Sequence, residues 1–219
     1  MLRSYFQFTA YDDRHSYLRQ SQKRRSRSFV QDFLKLIYIQ VSASDAAITI
    51  TDVYGVGQSW TAGQTSSNAL CCTAPGRGGS GMTYEGGNAT TGAGEVTWSS
   101  ATNNGIVVGT GTTAVAPTDY QLATQVVDGV SASTLEHFPC GGSALTTSAP
   151  TSSFTLERLF RNSSGGSITI NEVGVYATAN RLGASDLSHF CIIRDLVSPG
   201  FAVANGEYMR IVYTITLTV

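Results

Sequence analysis

Met209-Arg210-Ile211-Val212-Tyr213-Thr214-Ile215-Thr216-Leu217-Thr218-Val219 is the last stretch of the sequence, and its reading decides the rest. Met209, Ile211, Tyr213, Ile215, Leu217 and Val219 share one side of a pleated segment, while Arg210, Thr214, Thr216 and Thr218 share the other. Only Val212 breaks the alternation. A strict period of two, carried by β-branched and aromatic residues, marks an antiparallel strand with one face on a core and the other in water. Upstream, the apolar residues 201–203 lead into Asn205-Gly206, a dipeptide suited to a hairpin or strand corner. Residues 188–197 predict a further strand, closed by Ser198-Pro199-Gly200. Residues 167–178 alternate Ile168 and Ile170 against Thr169 and Asn171, then continue through Val173 and Val175. Residues 154–161 precede them, joined by the turn-rich 162–166. Strands separated by turn chemistry predict an all-β, antiparallel β-sandwich of jelly-roll or Greek-key type.

Composition agrees. Of 219 residues only 13% are charged and 23 are glycine, poor material for long helices and enough chain for one good-sized core. The net charge of −1 conceals a split: residues 1–40 carry eight Lys/Arg against three Asp, and the remainder carries six against twelve acidic residues. The expectation is a basic N-terminal arm with a docking helix over residues 1–41, followed by a sandwich domain over 42–219 with a Gly-rich insertion around 73–94. A cationic segment buries too little apolar surface to order itself alone, so this arm is expected to gain order from something it touches.

Within the arm, Ser28 and Gln31 have capping-box spacing, and Phe29, Val30, Phe33, Leu34, Ile37, Tyr38 and Val41 recur at helical spacing. They predict one short amphipathic helix over about 29–40. Its apolar face packs either on the parent sandwich or on neighbouring subunits. In the second case the cations Arg19, Lys23, Arg24, Arg25 and Arg27 meet acidic protein surfaces. Phosphate neutralisation on DNA is a third option, with no recognition motif accompanying the charges. Lys23-Arg24-Arg25 ahead of an apolar run ending in Val41-Ser42-Ala43 has the outline of a secretory signal, but Asp32, Lys35 and Gln40 interrupt it and the basic prelude is too long. The same charges argue against a membrane-spanning helix.

The chemistry-bearing residues form no complete constellation. Cys71 and Cys72 are adjacent, which leaves buried thiols or one bridge such as Cys72 to Cys140 as alternatives, with Cys191 remaining. His137-x-x-Cys140 and His189-x-Cys191 offer soft ligands without paired Cys-x-x-Cys knuckles, so no metal or cofactor is expected. Gly78-Gly79-Ser80-Gly81-Met82 misses the nucleophile-elbow pattern at its last position. Gly109-x-Gly111 lacks the third glycine of a dinucleotide loop, and Glu157, Glu172 and Glu207 have no spacing that argues convergence. An enzyme is not expected. A receptor- or glycan-binding module is the alternative from another class, since Trp60, Tyr84 and Trp98 flank the Gly-rich stretch.

Several blocks carry a resemblance. They are Arg27-Ser28-Phe29-Val30-Gln31-Asp32-Phe33, residues 105–112 followed by Thr118-Asp119-Tyr120-Gln121-Leu122, Phe154-Thr155-Leu156-Glu157-Arg158, residues 162–166, residues 168–176, Ile193-Arg194-Asp195, and Val203-Ala204-Asn205-Gly206-Glu207. In order and wording this series resembles minor virion proteins of tailed bacteriophages. Residues 73–94 and 131–150 lie outside it. The resemblance implies a structural protein, synthesised in the host cytoplasm and incorporated into the virion. Such a protein forms a homo-oligomer and docks on other virion proteins at the head-tail connector, neck or collar, or along the tail. A capsid decoration protein is the alternative position. It implies no reaction and no catalytic residue.

Overall fold

The structure, a computed structural model, describes residues 2–26, 28–41, 47–60, 82–83, 105–180 and 187–218. Its elements in chain order are β1 (Leu2–Tyr11), β2 (Tyr17–Gln20), β3 (Arg24–Ser26), α1 (Gln31–Val41), β4 (Ile48–Thr51), β5 (Gly57–Trp60), β6 (Met82–Thr83), β7 (Gly105–Gly109), β8 (Glu136–Gly142), β9 (Thr146–Ser148), β10 (Thr151–Arg161), β11 (Ile168–Asn180), β12 (Leu187–Val203) and β13 (Tyr208–Thr218). The strand pairings among them are antiparallel. One sheet runs β2-β1-β13-β10-β8, with β3 also on β1 and β9 also on β10; the second runs β12-β11, with β6 and β7 both on β11. The chain is therefore an all-β antiparallel sandwich with a single short helix among the described residues.

β13 behaves as its alternation predicts. Met209, Ile211 and Tyr213 are fully buried, and Phe6, Phe8, Ala10, Leu156 and Phe160 beside them complete the inner face of the larger sheet. Ile106, Val108, Ile168, Ile170, Val173, Val175, Ile193, Phe201 and Val203 supply the facing layer. Ile168 and Ile170 differ in parity from Val173 and Val175, yet all four reach this core. A register shift between Ile170 and Glu172 turns the strand by one residue, as a bulge does.

One predicted boundary changes. Residues 198–200 do not end a strand: β12 continues to Val203, and the irregular stretch between Leu196 and Phe201 lies opposite the same bulge of β11. A Cβ on Gly200 would lie 2.3 Å from Asn171 Oδ1 and 2.6 Å from Thr169 Cγ2, so a close approach of strands, and not a chain reversal, is what this glycine serves. Asn205-Gly206, with Gly206 at φ +87°, makes a corner between sheets, because β12 and β13 belong to different ones.

The larger correction concerns the N-terminus. Residues 2–11 are not an arm ordered by neighbours. β1 pairs with β13 from Leu2↔Leu217 to Tyr11↔Tyr208 and lies inside the larger sheet, flanked on its other side by β2 and β3. The segment alternates Ser4, Phe6, Phe8, Ala10 against Arg3, Tyr5, Gln7, Thr9, a strand period that the net charge of residues 1–40 does not reflect. A division at residues 41/42 thus cuts through one sheet.

The outer face of the smaller sheet is covered as well. α1 and the β4–β5 hairpin pack there through Leu36, Ile39, Ile50, Trp60 and Phe190. Residues 110–125 cover the adjoining part, with Leu122 against Val107, Tyr176 and Cys191. Trp60 is fully buried; Tyr84 and Trp98 lie outside the described residues, as do Cys71 and Cys72.

Candidate docking interface

α1 begins at Gln31, so the predicted capping box at Ser28 does not form. Ser28 is occupied otherwise: its carbonyl accepts the Arg194 N–H at 3.1 Å, and Val30 donates to the Ile192 carbonyl at 3.2 Å, adding residues 28–30 to the side of β12 away from β11. Phe29 is half-buried, with its ring 4.5 Å from that of Phe33, and Val30 is buried against Val53, Val107 and Tyr176. Asp32 is buried in the first turn and takes Lys35 Nζ at 3.0 Å. Burial raises its carboxyl, which the Lys35 hydrogen bond offsets in part.

The helix has two apolar faces. Leu36 and Ile39 point into the molecule, while Leu34, Ile37 and Tyr38 are 67%, 37% and 47% exposed. Positions i, i+3 and i+4 share one side of a helix, so these three form a continuous outward stripe. A helix apolar on both sides is usually covered on both sides, and this one lacks a cover for its outer stripe among the described residues.

The cations predicted to dock are mostly committed within the chain. Arg19 donates to both Glu207 oxygens at 2.8 and 2.6 Å, reaches the Ala202 carbonyl, and lies over the Phe201 ring at 5.3 Å. This bond holds the Glu207 carboxyl below its ordinary value. Arg24 donates to the Pro199 carbonyl at 3.1 Å, and Lys23 lies over Tyr5 at 5.0 Å. Arg25 is exposed, and Arg27 lies outside the described residues. The structure therefore brings Leu34, Ile37 and Tyr38 together on a surface, turns Phe29, Val30 and Phe33 towards the body, and spends Arg19 and Arg24 on joining β2 and β3 to β12.

The buried polar groups are structural ties. Glu172, fully buried, accepts N–H groups of Gly111, Ala123 and Thr124 at 3.2, 3.0 and 2.7 Å. Arg194 bridges Glu172 at 2.9 Å and Asp119 at 2.6 Å, and donates to the Thr113 carbonyl. Together they fasten residues 110–125 onto the smaller sheet. Arg158, also buried, donates to the carbonyls of Phe138 and Ile106 and so links the two sheets. Glu157 faces outward and pairs with Arg210. The three glutamates thus occupy three separate places, each with its own arginine.

Neither soft-ligand pair assembles a metal centre among the described residues. His137 is buried edge-on to Phe160 with a centroid separation of 4.9 Å, and burial beside Arg158 pulls its imidazole down to about 3. Cys140 and Cys191 are buried thiols whose pKa burial raises. No described helix is long and apolar enough to cross a membrane. Compared with protein-family models, curated proteins and solved structures, the chain matches none of them.

Proposed function

We propose that this chain is a structural protein of a tailed-phage virion that self-associates and docks on other particle proteins, at the neck or collar or along the tail. The outward stripe Leu34–Ile37–Tyr38 carries the reading: it is a ready apolar contact on a helix whose other side is already anchored. The resemblance of the motif series supplies the particle. In this reading the sandwich is a rigid body, α1 is the contact element, and the basic residues serve mainly the body itself.

The test is a Leu34→Asp/Tyr38→Asp double variant of the full chain. It should melt within a few degrees of the parent, since both side chains face solvent. Light scattering should show the parent as an oligomer and the variant as a smaller species, and mass spectrometry of purified particles should find the parent but not the variant. A parent chain missing from particles of the phage that encodes it would sink the proposal.

A further inference from the structure

The outward face of the larger sheet carries a groove of about 420 Å3 between β8 and β10. That volume falls within the range that small-molecule sites occupy. Pro139, Gly141, Gly142, Thr155, Glu157 and Leu159 are among the residues that line it.

Gly141 is the telling residue. Its φ lies outside the left-handed region, and a Cβ built on it would meet nothing closer than the Glu157 carbonyl oxygen at 3.8 Å, an ordinary contact. Neither backbone geometry nor packing requires glycine here, and glycine in a strand lowers stability. What the missing side chain does is keep the groove open.

The groove also selects its occupant. Pro139 has no N–H, and the His137 N–H is taken by Asp128 Oδ1 at 2.7 Å, so two positions along β8 offer no donor to an added strand. Glu157 and Arg210 face each other through contacts of 2.7 and 2.5 Å, with 45% and 40% of their side chains exposed. The pair is neutral overall yet still presents acceptors and donors to solvent, which favours a neutral ligand rich in hydroxyls over an anion or a cation. Pro139 and Leu159 add aliphatic surface for the C–H face of a ring. Beyond Leu159 on the same face, the Arg161 guanidinium lies over the Tyr208 ring at 5.5 Å, with Phe138 and His15 at 6.1 and 4.8 Å from that ring. His15 holds φ 60°, a backbone conformation rare for a residue with a side chain, at the β1–β2 turn that places it there.

We propose that this groove binds a neutral saccharide. One ring rests on Pro139 and Leu159 with its hydroxyls hydrogen-bonded to Glu157 and Arg210. This is a recognition function beyond particle assembly, and it uses a face of the molecule separate from α1.

The experiment incubates the full chain with an array of neutral oligosaccharides built from glucose, galactose, mannose, rhamnose and N-acetylhexosamine, with sialylated and sulfated glycans as charged probes. Hits are quantified by saturation-transfer NMR. The wild type should retain at least one neutral glycan, and Gly141→Leu and Glu157→Gln should each weaken it at least tenfold. Thermal melts identify a Gly141→Leu chain that has failed to fold, and Glu157→Gln, a surface change, then carries the test. Retention of no neutral glycan at millimolar concentration, preference for the charged probes, or unchanged binding by folded Gly141→Leu would each overturn the proposal. Particle incorporation is read separately through the Leu34/Tyr38 variant, so either reading can fail alone.

Discussion

Arg194 and Glu172 show what a buried charge needs in this chain. The Glu172 carboxylate is out of water, and three backbone N–H groups with one guanidinium replace its hydration. Asn162 works in the same way with neutral groups, donating to the carbonyls of Gly166 and Val203 and so tying two corners together. His137 is the exception, for neither ring nitrogen makes a hydrogen bond of ordinary geometry, and the Val126 backbone beside it is only a weak partner. It is tolerated because it is neutral, and that has a pH consequence. In the unfolded chain His137 binds a proton near its ordinary pKa, whereas in the folded chain it does so only near about 3. Folding stability is therefore undiminished above the ordinary histidine value. It falls as acid takes the pH down from about 6.5 towards 3, by up to roughly 1.4 kcal/mol per pH unit. His137→Phe keeps an aromatic ring on Phe160 and removes the site that titrates. Urea midpoints of the two proteins should lie close together at pH 7.5 and diverge by pH 5, with the variant more stable. Equal acid sensitivity would show that other groups carry it.

Among the elements, β1 and α1 differ most from what composition suggests. β1 places Phe6, Phe8 and Ala10 in the main core, with Phe8 stacked on Phe201 at 5.2 Å. Phe8→Ala should cost about 3–5 kcal/mol, a large share of the roughly 5–15 kcal/mol that holds a domain together. Removal of residues 1–11 should abolish cooperative unfolding altogether, as read by circular dichroism in urea. A truncated chain that still unfolds in one sharp transition would restore the detached arm. The C-terminal strands were legible because a period of two shows directly in the order of residues, and Asn205-Gly206 marked its corner by turn chemistry. β1 carries the same period, but Arg3 and the cations that follow it give the segment the composition of a charged arm. α1 was legible as a helix, not in its orientation. With Leu34, Leu36, Ile37, Tyr38 and Ile39 spread around its circumference, which side is buried depends on Ile50, Trp60 and Phe190, residues distant in sequence. The bonds from Arg19 and Arg24 to β12 were illegible for the same reason: their acceptors are main-chain carbonyls, which have no sequence signature.

At the scale of the molecule, the two sheets are joined along both margins. Arg158 crosses between β10 and β7 on one side, and Arg19 and Arg24 cross from β2 and β3 to β12 on the other. The second crossing also caps the side of β12 that β11 leaves open, which residues 28–30 and the Val53 N–H cover only in part. An uncapped strand edge is a template for pairing with another chain. Arg19→Ala with Arg24→Ala should therefore have two separable effects. The Arg19–Glu207 pair is partly exposed, so its loss should cost only about 0.2–1 kcal/mol. That loss should be visible at neutral pH and should vanish in acid: Glu207 titrates below its ordinary value in the fold, and the pair's contribution disappears as the pH drops through that lowered pKa. The freed carbonyls at Pro199 and Ala202 should matter more for association, giving light scattering that rises with protein concentration in the double variant. Arg25→Ala, at an exposed position of the same ribbon, should change neither stability nor scattering. If the double variant scattered no more than Arg25→Ala, the two arginines would be holding the sheets together without guarding an edge, and the protection of β12 would rest on residues 28–30 and the hairpin alone.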